Sequence, residues 1–228
     1  STVIGNTYLA LGKYDEAEPS IVKSMEIRRR VLGDEHPSTL DSIANMGRLF
    51  AYQGKYEEAE VYFLQVLEGR RRVLGDEHQS TLRALDYMGN MLRVQGKYEE
   101  AEMYFLQALE GNRRILGDEH PGTLRSIDNV GNLRLEQGRY DEAHVYYLEA
   151  LEGTRRVLGD AHPRTLRSIN SMGNVLMQQG KYDAAESFYV EAMETSRRVL
   201  GDEHPDTLKS IGNMGNLFYN QGMYDEAK

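Results

Sequence analysis

The chain has 228 residues, 40% hydrophobic and 28% charged, with a formal net charge of -9 and no cysteine. It is too apolar for a disordered chain, and it has no disulfide framework, thiolate metal site or cysteine nucleophile. No stretch approaches the ~18 consecutive apolar residues of a membrane span, and an acidic chain lacks the basic face of a general nucleic-acid binder.

A repeat organises everything else. Gly33-Asp34-Glu35-His36-Pro37 returns, with small changes, from Gly75, Gly117, Gly159 and Gly201, each 42 residues after the last. Each copy continues as Thr-Leu, an apolar run, Gln-Gly (Leu-Gly in the opening copy), a Tyr with acidic neighbours, Ala, and a segment ending Arg-Arg-Val/Ile-Leu-Gly. Fixed self-similarity of this length marks an array of stacked units. The predicted units are approximately 1–32, 33–74, 75–116, 117–158, 159–200 and 201–228, one single array with both end units truncated.

In chain order, the opening unit begins inside a first helix and carries Pro19 early in its second, where a first turn tolerates proline. The second unit shows the full pattern. Its first helix is predicted over about Ser38–Gln53, with Pro37 at the first helical position, where its missing N–H is no loss. Leu40, Ile43, Met46, Gly47 and Phe50 form the apolar stripe. Gly54 is the stop signal. The second helix is predicted over about Tyr56–Leu74, with Tyr56, Ala59, Phe63, Val66, Leu67, the stem of Arg70, and Val73 on its stripe. Glu57 and Glu58 open it and Arg70, Arg71 and Arg72 close it, as the helix dipole favours. Gly47, Gly89, Gly131, Gly173 and Gly215 recur inside first helices, where glycine costs about 1 kcal/mol relative to alanine. Close approach of a neighbouring helix, with Ala59, Ala101, Ala143 and Ala185 on the other side, is the expected compensation.

Later units depart in a few places. His78-Gln79 stands for His-Pro, Ala161 for Glu, and Arg134 for the apolar residue seen as Phe50, Leu92, Leu176 and Phe218. The ends read as uncapped, so head-to-tail self-association through Ile4, Tyr8, Phe218 and Tyr224 is expected.

A small residue in helix one, then Tyr, Ala and Phe/Tyr in helix two, resembles the tetratricopeptide repeat. The 42-residue period and the Leu-Gly-Asp-Glu-His-Pro-x-Thr-Leu linker resemble the kinesin-light-chain subtype, which is similar to sensor arrays of fungal and bacterial signal-transducing NTPases. The resemblance implies an all-α fold, a right-handed superhelical solenoid of antiparallel helix pairs (tetratricopeptide repeats). First helices would line a concave groove.

Chemistry-bearing residues are weighed against that fold. His36, His78, His120, His162 and His204 fall one per linker, so they are read as helix entries, with no metal site. Arg71-Arg72 and their copies are read as dipole partners, with the linker acids as candidate counter-charges. Paired acids such as Glu57-Glu58 recur in every copy and suit helix starts, so no catalytic residue is assigned and no cofactor is expected. The tyrosines and methionines fall mostly on the repeating stripes, and core packing accounts for them better than an aromatic cage.

By the resemblance, the groove positions are the residue after Thr-Leu and those three, four, seven and ten further on. The peptide-binding candidates are Arg83, Arg125, Arg167 and Lys209; Tyr87 and Asn129; and Arg48, Asn90, Asn132, Asn174 and Asn216, with Asn6 in the opening unit. A carboxamide both donates and accepts, so it suits a peptide backbone, and Arg holds carboxylates in bidentate fashion. The charge balance there is basic, unlike the whole chain. The expected function is a protein-protein interaction module that binds an extended, acidic segment. The alternative is a sensor or oligomerisation scaffold regulating an attached NTPase or effector domain. Neither is an enzyme, and a cytoplasmic location is expected.

Overall fold

The computed structural model describes residues 2–222, and the side chains of all these but Thr2, Val3, Asn6 and Ala10. Tyr224, expected at an end contact, and the side chain of Asn6 therefore lie outside the described residues. The described residues form eleven α-helices and no strand. The chain divides into two compact units, Ser1–Ile115 and Leu116–Lys228.

The first unit holds α1 (Thr2–Ala10), α2 (Tyr14–Leu32), α3 (Pro37–Tyr52), α4 (Tyr56–Leu74), α5 (Gln79–Val94) and nearly all of α6 (Tyr98–Leu116). The second holds α7 (Pro121–Glu136), α8 (Tyr140–Leu158), α9 (Pro163–Gln178), α10 (Tyr182–Leu200) and α11 (Pro205–Asn220). Within each unit, successive helices pack on one another. First helices also touch directly, α1 with α3 and α9 with α11.

Each helix starts for a local reason. At α3, α5, α7, α9 and α11 the linker histidine is the N-cap: Nδ1 of His36, His78, His120, His162 and His204 accepts from the backbone N–H two residues on, at 3.0–3.2 Å. This satisfies one of the donors a helix start leaves open. Gln79 begins α5 as well as proline begins α3, because His78 supplies the cap. Thr81, Thr123, Thr165 and Thr207 each donate from the hydroxyl to the carbonyl of the linker glycine six residues back, at 2.6–2.8 Å. The Thr of Thr-Leu thereby ties linker to helix. Gly75, at φ 86°, ends α4 in the left-handed region that glycine enters without steric cost.

Glycine inside helices makes room for side chains. A Cβ on Gly47, Gly89, Gly131 or Gly173 would lie 2.5–2.8 Å from the ring of Phe63, Phe105, Tyr147 or Tyr189. The neighbour that needs the space is thus the ring of helix two. Ala59, Ala101, Ala143 and Ala185 are buried completely but are not the nearest atoms. A second set, Gly69, Gly111 and Gly153 on helix two, receives Leu40, Leu82 and Leu124.

Three sequence expectations need correction. Pro19 lies in the second turn of α2, not the first, so the Asp15 carbonyl loses its i+4 donor. Val73 is 43% exposed; the stripe runs on through half-buried Leu74, four residues after Arg70. Arg70 is buried to its guanidinium, 2% exposed, and not by its stem alone.

Candidate functional site

The linkers carry an ion-pair ladder. In four of the pairs the first arginine reaches the Asp of the following linker: Arg29–Asp34, Arg71–Asp76, Arg155–Asp160 and Arg197–Asp202, at 2.8–3.1 Å. The second reaches back to the Glu of the preceding linker: Arg72–Glu35, Arg114–Glu77 and Arg156–Glu119, at 2.6–2.9 Å. Arg198 is the next in line, but Ala161 takes the place of its glutamate, and no such rung is present among the described residues. These arginines serve the repeat junctions. Among the described residues no group of three or more His, Asp or Glu side chains is placed to hold a metal ion, and no helix is long and apolar enough to cross a membrane.

The predicted first-helix positions divide by unit. In the first, Arg48, Tyr87 and Asn90 line one cavity of about 480 Å³, with Ala51, Tyr52, Tyr56, Phe63, Met91, Arg93 and Val94. Tyr87 stacks on Phe63 with ring centroids 5.6 Å apart, and the Arg48 guanidinium lies 5.9 Å from the centroid of Tyr52. Arg48 also donates to Asn45 Oδ1. Asn90 donates from Nδ2 to the carbonyl of Asp86 at 2.9 Å. Its donor is therefore turned back on its own helix. Arg83 approaches Asp41, NH2 to Oδ1 at 3.8 Å.

In the second unit the carboxamides are held the other way round. Asn132 and Asn174 accept at Oδ1 from the hydroxyls of Tyr147 and Tyr189, at 2.8 and 2.7 Å. One acceptor site of each amide oxygen is therefore taken by a core tyrosine. Burial holds the Tyr189 phenol well above the ordinary tyrosine range. Asn216, by contrast, is exposed, and its backbone carbonyl accepts from Asn220. Arg125 and Asn129 are half-buried, while Arg167 and Lys209 are exposed.

Further polar residues belong to these faces, Asp128, Asn170 and Asn213 at predicted groove positions and Arg164 and Arg134 outside them. Burial raises the Asp128 carboxyl to about 7, although Arg164 and Arg167 of α9 pull it down. Arg164 donates from NH1 to the Pro121 carbonyl at 2.8 Å, and its own desolvation lowers it, with Asp128 opposing. Asn170 donates to the Leu166 carbonyl and to Ser210 Oγ, and accepts from Asn213. Arg164 was open to detection: it is the one cation at a place otherwise held by Ser38, Ser80, Gly122 and Asp206. Arg134, in its apolar place, is 5% exposed and donates from NH1 to Gln137 Oε1 at 2.9 Å, with its Nε 3.3 Å from Glu142.

Helix pairs joined by capped linkers, with polar side chains gathered on first helices, define a helical-repeat protein. The tetratricopeptide repeat pattern matches residues 2–72, 44–93, 80–156, 129–189 and 164–228, and the chain belongs to that family. A search of curated proteins found no match. Among solved structures, the chain is similar to BtubC (BKLC) from P. vanneervenii, at 18% identity and TM-score 0.79, over 94% of this chain and 86% of that one. It is also similar to a putative kinesin light chain with nearly identical TPR-like repeats from Podosopora anserina, at 22% identity and TM-score 0.70, over 86% and 93%. A third is a signal transduction ATPase with numerous domains and a tetratricopeptide repeat sensor, from Pyrococcus horikoshii. There the identity is 18% and the TM-score 0.69, over 97% of this chain but 33% of that protein. At such identities these likenesses concern the fold.

Proposed function

We propose that the chain is a protein-protein interaction module whose first-helix faces bind an extended, acidic segment of a partner. The observation that carries this reading is the cavity of about 480 Å³ in the first unit. Its aromatic and aliphatic wall suits one apolar side chain of the segment, and Arg48 and Arg93 suit acidic neighbours on either side. In the second unit, Asn132 and Asn174 offer amide donors to the carbonyls of an extended backbone, and Arg125 and Arg167 add positive charge. Asn90, Tyr87 and Arg83 in the first unit, with Asn129, Asn216 and Lys209 in the second, complete the proposed contact set. The tetratricopeptide fold is that of a scaffold, and the reading assigns it no catalysis. A cytoplasmic location, a single continuous array and head-to-tail self-association belong to the same proposal.

The test is selection of binders from a displayed peptide library, followed by fluorescence anisotropy of the enriched sequences. Acidic peptides with one apolar anchor are expected, weakening as salt rises and exposed charges are screened. Enrichment of basic peptides, or cross-links that map to the second helices, would overturn the reading.

A second reading is a sensor or oligomerisation scaffold that regulates an attached NTPase or effector domain. The likeness to the Pyrococcus horikoshii protein, which carries a tetratricopeptide repeat sensor, supports it. Nucleotide hydrolysis by the full-length protein, raised or lowered when the repeats are removed, is the deciding measurement; no nucleotide-binding domain beside the repeats would end this reading.

A further inference from the structure

A second cavity in the first unit, of about 290 Å³, is lined by Arg28, Arg70 and Arg83 from α2, α4 and α5, with Asp41, Ala44, Asn45 and Tyr87. Three guanidiniums face one carboxylate. Arg70 is 2% exposed and donates from NH1 to the Ser80 carbonyl at 2.8 Å and from NH2 to Asp41 Oδ1 at 2.6 Å. Arg28 donates from NH1 to the Ser38 carbonyl and to Ser42 Oγ, both at 2.8 Å. Arg83 is less well satisfied. Its NH2 stops 3.8 Å from Asp41 Oδ1, and its Nε is out of contact with solvent and has no hydrogen-bond acceptor. A buried donor left unpaired on a charged group is costly. The cavity lining thus carries an excess of positive charge, with Arg83 held only by a long approach to Asp41.

Duplication of the repeat does not account for this convergence. At the helix-two position of Arg28 and Arg70, later copies carry Asn112, Thr154 and Ser196. At the helix-one position of Arg83, other copies carry Arg125, Arg167 and Lys209, but the copy before it carries Asp41. Within the first unit, both arginine columns meet at the one copy whose helix-one residue is an acid.

We propose that this cavity binds a dianionic phosphoryl group, with Arg83 and Arg70 as donors and Asp41 as an internal carboxylate that occupies the arginines when no ligand is bound. The excess of two positive charges matches a dianion better than a single carboxylate. The planar fork of arginine also suits phosphate oxygens. The source is either free phosphate or a phosphorylated side chain of a bound segment. The site stands on its own cavity and does not depend on the peptide reading above.

The experiment is a titration of the whole chain with inorganic phosphate at pH 8, followed by 31P NMR, with circular dichroism to confirm folding of each variant. Saturable broadening or shift is expected. Arg83→Gln, a partly exposed position, should weaken it by ~10-fold or more. Asp41→Asn should tighten it ~3–10-fold, because a like charge leaves the site. A merely structural arginine cluster would not gain affinity from that change. A peptide carrying phosphoserine, compared with its serine form and with phosphate alone, separates the sources: tighter binding of the phosphopeptide supports an attached group, equal binding a free ion. Absence of a saturable signal in the parent chain, or a signal unchanged by Arg83→Gln, overturns the proposal. Peptide binding abolished by changes at Asn132 and Asn174 would leave it untouched, so the two readings fail separately.

Discussion

The hydroxyl of Tyr147 donates to Oδ1 of Asn132 at 2.8 Å, across the first and second helices of one repeat. Tyr147 is 1% exposed, so this bond joins a core ring to a surface amide. Asn132→Ala should therefore destabilise the chain by ~1 kcal/mol, the usual net value of such a bond. Tyr147→Phe is sterically safe, since Phe63 and Phe105 hold the same place in other copies. In that background Asn132→Ala should lose most of its effect on stability but keep its effect on peptide affinity. A double-mutant cycle by urea denaturation measures the coupling. Additive effects would mean the bond contributes nothing.

Gly89→Ala places a methyl group 2.6 Å from the Phe105 ring. The gain in helix propensity, about 1 kcal/mol, should be exceeded by overpacking of ~1–3 kcal/mol. Phe105→Leu in the same chain should recover part of the loss. Thermal unfolding of the single and double variants is the measurement, and a stabilised Gly89→Ala would refute close packing at this ring.

The fold was legible because periodicity carries it. Pro37, Gly54 and Gly75 mark turns whose backbone chemistry is local, so helix ends fell within a residue or two of their places. The interior glycines signalled close contact, but periodicity alone could not distinguish a facing ring from a facing alanine. Polar pairings were less legible. Asn90, Asn132 and Asn174 are one residue type at one repeat position, yet Asn90 turns its NH2 to its own helix while the other two turn their oxygens to tyrosine. The difference tracks Phe105 against Tyr147 and Tyr189, fifteen residues away in each case. The burial of Arg70 depends on Asp41 and Ser80, which lie on two other helices. Such couplings become visible only when helices are stacked.

The missing rung at Ala161 gives a test of the linker ladder. Ala161→Glu should create a bridge to Arg198 like that of Arg156 and Glu119. Those partners are 58% and 60% exposed, so the gain should be below ~1 kcal/mol and should fade with salt. Urea denaturation at low and high ionic strength checks both points. A gain that persists in high salt would point to packing and not to charge.

Asp128 gives the second unit a pH dependence whose sign is fixed by its environment. Burial raises its carboxyl from 3.8 to about 7, against the opposing pull of Arg164 and Arg167. Between those two values the folded chain binds more protons at this group than the unfolded chain does. Its contribution to stability is therefore fully present below about pH 4 and is lost as pH rises toward 7. Above that, an ionised carboxylate is held in place with Oδ1 lacking a hydrogen-bond partner. Asp128→Asn keeps the shape and removes the charge. It should flatten the stability profile between pH 4 and 7, and above pH 7 it should stabilise the chain by ~1 kcal/mol or more, the scale of a relieved buried polar group. The measurement is denaturant unfolding of parent and variant across pH 4–8. Parallel curves would mean that Asp128 contributes no pH dependence; a variant less stable than the parent at pH 8 would mean that attraction to Arg164 and Arg167 outweighs burial and that the sign is reversed.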